Sequence, residues 1–357
     1  MSNKEALEVL EQPEDTINVV YEKAQFHKRV FANFIDILLL FLAFIASFTL
    51  FGAITNALPA YKKADHTVAT YRKESKLFEY SPERNTWENI STWMDNNNEW
   101  SYGQRVYKCS VAIDEFIDYV GTKGTTEQHE LIIKDYHDCR LADKLTYRDS
   151  GKKLFIEQEN PDTHVMEIVR NPDLPVNEGI DKYYYTHFYR DYTLISCGGM
   201  MIKFFPEYKN GLKTMSDFLF YEQLPASAIL AGFLVYLLPT FFWKRNRMTV
   251  GKFSMQIGII DNKCLAVSFG RNLARWAIFY FGIVILSFFT FGVPMLISFS
   301  MMAFSKRRQS FQDFLLGITE VDVNRQKIYY TKYEVAVEHA TSHKQAISFE
   351  MEQNEHL

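Results

Sequence analysis

A long apolar run extends from Arg29 to Leu58 and carries polar residues on one helical face. At about 100° per residue, that face holds Arg29, Ala32, Asn33 and Asp36, at spacings i, i+3, i+4 and i+7. About 20 apolar residues suffice to cross a bilayer, and this run is longer. A carboxylate at the centre of a membrane helix costs about 2.5–3.5 kcal/mol, so Asp36 should face protein or water and have a partner. The run predicts a membrane helix in which Asp36 is either a functional acid or a polar contact near the interface.

Two further apolar blocks indicate a membrane protein. The block Leu224–Trp243 has no charge, and the block Ala274–Phe304 has only Arg275, near its start. As a single helix the later block would run about 46 Å, against a hydrocarbon core of about 30 Å. Because Gly292 and Pro294 interrupt it, we predict a helical hairpin or re-entrant pair. The alternative is one tilted, kinked span.

Basic residues set the predicted orientation. They follow both later blocks closely: Lys244, Arg245 and Arg247 after the second, and Lys306, Arg307 and Arg308 after the third. Because Lys and Arg concentrate on the cytoplasmic side, both of these ends should be cytoplasmic. The polar N-terminal residues lack the apolar core of a cleavable signal peptide. We therefore expect a multi-pass protein whose N-terminus is cytoplasmic.

The chain divides into five segments by these patterns. They are a cytoplasmic N-terminal segment (1–25), a first transmembrane helix (26–58), an extracytoplasmic domain (60–222), the rest of the membrane module (224–324) and a weakly ordered cytoplasmic tail (325–357). The predicted fold is an α-helical membrane module of three to four transmembrane or re-entrant helices, plus an inserted α+β domain.

The inserted segment has both helical and strand-like patterns. Helices are predicted at Val111–Val120 and Glu127–Leu145, and strands at Lys153–Glu157, His164–Val169, Tyr183–Ile195 and Met200–Phe205. The aromatic run from 183 to 192 favours a core strand over a ligand-binding face. Cys109, Cys139 and Cys197 lie in this segment and permit one disulfide or none.

Short secondary-structure elements are predicted on both sides of the third block. Residues 256–269 predict two strands around the turn Asp261-Asn262-Lys263. After the block, an amphipathic interfacial helix is predicted, with one apolar face formed by Phe311, Phe314, Leu315 and Ile318. Asp313 lies on its opposite face and should point to water or to a cation, with Arg29, Arg271 and Arg275 as the candidates.

Four ordered pieces resemble the RDD family of bacterial membrane proteins. They are R-V-F-A-N-F-I-D (29–36), T-V-G-K-F-S-M-Q-I-G-I-I-D (249–261), S-F-G-R-N-L-A-R (268–275) and Q-D-F-L-L-G-I-T (312–319). The Arg-Asp-Asp letters of the family would fall on Arg29, Asp36 and Asp313. The other matching positions are Thr249, Gly251, Lys252, Gly258 and Arg275. The inserted domain departs from the family, which usually joins its first two helices by a short loop.

The resemblance implies a protein of the bacterial cell (inner) membrane, and transport of ions or small solutes is a common suggestion for the family. From the residues, the candidate charged intramembrane site comprises Arg29, Asn33, Asp36, Arg275 and Asp313. Within it we expect Asp36 to pair with Arg275 or, less favourably, with Arg29 of its own helix. The turn Thr249, Gly251 and Lys252 is either an ordinary connection or a headgroup or substrate contact, with Lys252 as the contacting residue. Such a charged network can serve an ion path or hold helices together.

Other function classes find no support in the sequence. It contains no hydrolase, metalloprotease, nucleotide-binding or dinucleotide motif, so we predict no enzyme and no cofactor. His137 and Cys139 match no familiar zinc spacing, so no metal site is predicted. The net charge of -4 and the lack of a basic aromatic patch argue against nucleic acid.

Two function classes remain open. One is a small transporter or ion-handling unit that uses Asp36, Arg29 and Asp313, and the other is a membrane anchor or accessory subunit that displays the inserted domain for binding or sensing. The expected partners are the lipid bilayer, a second copy or another membrane protein, and an extracytoplasmic ligand of unknown identity.

Overall fold

The computed structural model describes residues 20–97, 99–148, 150–304, 308–324, 326–338 and 341. Two compact units are present. The membrane unit comprises the residues up to 52 and those from 223 onward, and the inserted unit comprises residues 53–222. Both are mostly helical, and each sheet among the described residues has two strands.

The elements follow in chain order. The helices are α1 Phe26–Ala57, α2 Pro59–Glu74, α3 Ile90–Asn96, α4 Tyr102–Lys123, α5 Thr126–Leu141, α6 178–204, α7 Pro206–Phe242, α8 Val250–Ser254, α9 Phe269–Phe289, α10 Val293–Phe304 and α11 Phe311–Leu316. The strands are β1 Phe78–Ser81, β2 Thr86–Asn89, β3 Phe155–Glu159, β4 Met166–Arg170, β5 Ile257–Ile260 and β6 Thr319–Asp322.

Three of these helices, α1, α7 and α9, are long and apolar enough to cross a membrane. The most apolar window of α1 has a mean hydropathy of 2.6, and only 6% of that window is buried inside the protein. Phe41 and Leu42 of α1, for example, are more than 60% exposed. A surface of this kind is stable against lipid and unfavourable against water.

The third apolar block forms two helices and not one kinked span. α9 ends at Phe289, and α10 begins at Val293. Gly292 lies between them with φ 86°, a conformation that glycine adopts without a steric penalty, and its N–H donates to the Ser287 carbonyl at 2.8 Å. At 12 residues, α10 is about 18 Å long and too short to cross a bilayer fully. The predicted turn near Gly292 is therefore present.

Small residues on α7 bring α9 close. A Cβ atom at Gly232 would lie 2.4 Å from the Tyr280 ring, so only glycine fits there. The Tyr280 hydroxyl donates to the carbonyl of Ala228, and the Trp276 indole N–H donates to the carbonyl of Gly232 at 3.1 Å. Small residues commonly allow membrane helices to approach in this way.

A small sheet joins three distant parts of the chain. β5 pairs antiparallel with β6, with Ile257 opposite Asp322 and Ile260 opposite Thr319. Residues 22–24 add to the edge of β6, where Ala24 N–H donates to the Glu320 carbonyl at 3.1 Å. The predicted second strand after residue 263 is wrong, because it is reduced to a single bridge between Ile260 and Ala266.

The described part of the tail is packed, in contrast to the prediction of a weakly ordered extension. Ile328 is fully buried and Val335 is 2% exposed. A Cβ atom at Gly258 would lie 2.6 Å from Ile328, so Gly258 makes room for this packing. Residues 1–19 of the predicted N-terminal segment, Lys306 and Arg307 of the basic cluster, and residues 342–357 lie outside the described residues.

The inserted unit has one large core. α4 and α5 begin with capping boxes, at Ser101 with Gln104 and at Thr125 with Gln128. These two helices confirm both predicted helices, and the hairpin of β3 and β4 confirms two of the predicted strands.

The strands predicted at Tyr183–Ile195 and Met200–Phe205 are wrong, because both segments are helical and belong to α6. The reason lies in the spacing of the aromatic residues. The buried members recur at i, i+1, i+4, i+5 and i+8, which is one helical face, and they are Tyr184, Tyr185, Phe188, Tyr189 and Tyr192. High β propensity does not outweigh this packing.

All four cysteines are free thiols. Cys109 and Cys197 are fully buried. Burial raises the pKa of the Cys109 thiol to about 12, so this group is neutral and unreactive at physiological pH.

Candidate functional site

Asp36 is buried within α1 and binds the first turn of α8. Its side chain is 1% exposed. The Thr249 hydroxyl donates to one carboxylate oxygen at 2.5 Å, and the Gly251 N–H donates to the other at 2.8 Å. Thr249 also caps α8, since its hydroxyl oxygen accepts from the Lys252 N–H at 3.3 Å. The carboxylate thus satisfies the free N–H group of Gly251 at a helix start, where a negative charge is favourable.

Gly251 allows this contact. A Cβ atom at this position would lie 2.1 Å from the Ala32 carbonyl oxygen and 2.9 Å from the Asp36 carboxyl carbon. Ala32 itself is fully buried. The backbones of α1 and α8 therefore touch, which explains why a small residue is needed on both sides.

The expected pairing of Asp36 with an arginine is wrong. Among the described residues, Asp36 forms no ion pair within 4.0 Å. Arg275 is instead held by Asp313 and Glu320, and Arg29 is held by Glu320 and by the Arg308 carbonyl. Arg29 and Asp36 are also two turns apart on α1, about 10 Å in axial rise, which is too far for a direct pair.

Arg275 and Asp313 form a two-point ion pair. The Arg275 Nε lies 2.5 Å from one Asp313 oxygen, and a terminal guanidinium nitrogen lies 3.2 Å from the other. The Ser310 hydroxyl also donates to Asp313, at 2.6 Å. Asp313 is 1% exposed, so of the partners predicted for it the structure selects Arg275. Arg271 contacts Asp261 instead.

The ion pair between Asp313 and Arg275 fixes the orientation of α11, with Asp313 on the face opposite its apolar residues as predicted. Gln312 and Asp313 face inward and are buried, whereas Phe314 and Leu315 are more than half exposed. The apolar face of α11 is thus its outer face. Ile318 lies beyond the helix and is fully buried.

Glu320 of β6 joins the three cations. It contacts Arg29, the Lys252 amine at 2.5 Å and the Arg275 guanidinium at 3.0 Å. The Glu320 side chain is 7% exposed. Burial by itself would raise the pKa of Glu320, but the positive charges of Arg29, Lys252 and Arg275 hold that pKa well below its ordinary value. Glu320 is therefore ionised at neutral pH.

Of the three cations that contact Glu320, Lys252 is a lysine and the other two are arginines. Burial, and next the neighbouring Arg275, lower the pKa of Lys252 below its ordinary value, while Glu320 and Asp313 oppose that shift. Because Lys252 is only 4% exposed, the predicted contact with a lipid headgroup is not available to it in this arrangement.

Together these residues form what we call the charge cluster, defined as Arg29, Lys252, Arg275, Asp36, Asp313 and Glu320. It contains three cations and three carboxylates, and all six side chains are at least 88% buried. Opposite charges in equal number offset the large cost of removing ions from water.

Sequence reasoning missed Glu320. A signal was present in the charge balance, since the cations Arg29, Lys252 and Arg275 exceed the carboxylates Asp36 and Asp313 by one. A third buried acid was therefore required, and Glu320 follows Ile318 and Thr319 and precedes Val321 in a largely apolar segment.

A small cavity of about 30 Å³ lies beside Asp36. Asn33, Tyr236 and Asn272 line it together with members of the charge cluster. The Tyr236 hydroxyl is buried and has no hydrogen-bond partner among the described residues. A space of this size accommodates one or two water molecules.

Comparison with known families identifies one domain. Residues 188–317 match the RDD family, so the chain carries an RDD family domain. The matched segment includes Thr249, Gly251, Lys252, Gly258, Arg275 and Asp313, and it excludes Arg29, Asp36 and Glu320. No curated protein and no solved structure matches the chain. The RDD domain and the apolar helices indicate an integral membrane protein.

Proposed function

We propose that this protein with an RDD family domain is a membrane anchor that displays the inserted unit outside the cytoplasm. The observation that carries the proposal is the charge cluster. Arg29, Lys252 and Arg275 pair with Glu320 and Asp313, and Asp36 accepts hydrogen bonds from Thr249 and Gly251. Because each charged group of the cluster already has a protein partner, the network stabilises a fixed arrangement of helices and leaves no group free to bind a transported ion.

The proposed topology places the N-terminus, residues 244–273 and the tail in the cytoplasm of a bacterial cell, with a multi-pass path through the inner membrane. The positions of Lys244, Arg245, Arg247 and Arg308 support it. We further propose that the inserted unit binds an extracytoplasmic ligand, and that the membrane unit pairs with a second copy or another membrane protein. The proposal involves no catalysis.

Cysteine labelling tests this topology. Val176 in the inserted unit is 96% exposed and Tyr333 in the tail is 64% exposed. In a background without the four native cysteines, an impermeant reagent added to intact cells should label Val176→Cys and not Tyr333→Cys. Both should react after lysis. Labelling of Tyr333→Cys in intact cells would contradict a cytoplasmic tail.

Transport of an ion or small solute is the second candidate function. The observation that favours it is the cavity beside Asp36, because the unpartnered Tyr236 hydroxyl faces a space that holds water. Buried ionisable groups next to such spaces often mark ion or proton paths in membrane proteins.

Flux measurements in proteoliposomes separate the two candidates. Tyr236→Phe removes only the unpartnered hydroxyl, so it should leave thermal stability in detergent nearly unchanged or slightly higher. Asp36→Asn should lower stability, because Thr249 and Gly251 lose a charged acceptor. For an anchor, the native protein gives no cation or proton flux above protein-free liposomes. Flux that Tyr236→Phe abolishes at unchanged stability would favour transport.

A further inference from the structure

A second cavity, of about 250 Å³, lies in the membrane unit between α1 and α10 and against α9. We call it the interhelical groove. Its walls are mostly apolar, and the apolar residues that shape it are Val30, Phe34, Ile37, Ile283, Met295 and Phe299. Phe34 and Ile37 are also exposed, at 58% and 44%, so the groove continues into the lipid-facing surface of α1. The Phe26 and Phe299 rings pack edge to face at 5.8 Å near the start of α1.

One end of the groove is polar. Arg29, Asn33, Ser310, Gln312 and Glu320 line that end, and Arg29 and Glu320 form an ion pair there. Arg29 holds the backbone carbonyl of Arg308 there, and the Arg308 side chain is exposed. Among the described residues, no carboxylate lies within ion-pair distance of Arg308. Because the ion pair of Arg29 with Glu320 is neutral, Arg308, whose backbone carbonyl binds Arg29, adds a positive charge, unpaired within the described ranges, next to the polar end of the groove.

We propose that the interhelical groove binds one anionic phospholipid, with an acyl chain between α1 and α10 and the phosphate beside Arg308. Apolar walls do not hold ordered water, and an empty groove would forfeit contacts along its lining. An acyl chain supplies those contacts where the helices already face lipid. Basic pockets between membrane helices select anionic headgroups, by about 1 kcal/mol for each Lys or Arg, which is about fivefold. The charge next to the groove therefore selects an anionic lipid over a neutral one.

Native mass spectrometry of the full chain tests the proposal, after reconstitution in nanodiscs with equal amounts of phosphatidylglycerol and phosphatidylcholine. The native protein should retain one phosphatidylglycerol in preference to phosphatidylcholine. Ile37→Trp fills the groove and should reduce retention of that lipid by about tenfold or more. The matched control is Leu38→Trp, because Leu38 is the next residue of α1, is similarly exposed at 50% and does not line the groove.

A second variant tests the headgroup contact. Arg308→Gln should reduce the preference for phosphatidylglycerol about fivefold without abolishing lipid retention. Arg271→Gln is the control, since Arg271 is an exposed cation that pairs with Asp261 away from the groove. Equal retention of both lipids by the native protein would overturn the proposal. Equal loss in Ile37→Trp and Leu38→Trp, or a dimer that forms without lipid and is lost in Ile37→Trp, would also overturn it.

Discussion

The two units of this chain bury different kinds of side chain. The inserted unit has one continuous core that extends from Val68 to Tyr208 and is rich in aromatic rings. The buried apolar residues of the membrane unit instead fall into four small clusters, among the described residues. The same unit also buries the charge cluster.

The difference reflects the two solvents. In water, apolar burial drives folding, and a buried Phe or Tyr contributes strongly. Against lipid, an apolar side chain gains little by moving from lipid to protein, so close packing and polar contacts must hold helices together. The membrane unit uses both, with Gly232 and Gly251 for close approach and the charge cluster for polar contacts.

The largest effect is expected at Glu320. Glu320→Gln leaves Arg29 and Lys252 without an ion-pair partner and Arg275 with Asp313 alone, among the described residues, and loss of one partner of a buried pair costs about 3–5 kcal/mol. Thermal unfolding in detergent measures this loss. Asp322→Asn is the control on the same strand, because its pair with Lys28 is partly exposed and should contribute about 0–1 kcal/mol. Similar small losses in both variants would contradict a tight charge cluster.

A comparable loss is expected in the core of the inserted unit. Phe155→Ala removes a ring that is 2% exposed and packs on Tyr184 and Phe188, at a cost of about 3–5 kcal/mol. Hydrogen exchange read by mass spectrometry should show faster exchange in residues 102–141 and 178–204. If Phe155→Ala left exchange there unchanged, the aromatic core would not be the main source of that unit's stability.

Gly251→Ala should have an intermediate effect. The added Cβ atom would collide with the backbone of Ala32 at 2.1 Å, and backbone cannot move as cheaply as the end of a side chain. Overpacking of this kind costs about 1–3 kcal/mol. Gly282→Ala on α9 serves as the control, since its Cβ atom would meet nothing within 4 Å. Equal thermal stability of the two variants would rule out close contact between α1 and α8.

The smallest effect is expected on mild acidification. The pKa of Glu320 is depressed in the folded protein, so its contribution to stability is complete above the ordinary glutamate pKa of about 4.3. It is lost as the pH falls through the lower, folded-state value. The difference in melting temperature between native protein and Glu320→Gln should stay constant from pH 7 to about pH 5 and narrow below about pH 4. A difference that stayed constant below pH 4, or widened there, would show that the pKa of Glu320 is not depressed.

Much of the membrane unit could be predicted because its signals are local. The lengths of the apolar runs, the break at Gly292 and the face that carries Arg29, Ala32 and Asp36 can all be read from neighbouring residues. The same was true of the capped helices α4 and α5. Prediction from neighbouring residues was wrong for α6, because its aromatic residues have a high strand propensity but pack on one helical face.

The residues alone indicate that Arg29, Asp36, Arg275 and Asp313 need partners, because unpaired charges are too costly in a membrane. Which partners they have depends on the packing of distant segments. Asp36 accepts hydrogen bonds from Thr249 and Gly251 because the first turn of α8 packs against α1 at Ala32. Glu320 contacts three cations because β6 pairs with β5. Coulomb attraction acts between any opposite charges, so the choice among near-equivalent partners depends on how backbones more than 200 residues apart are brought into contact.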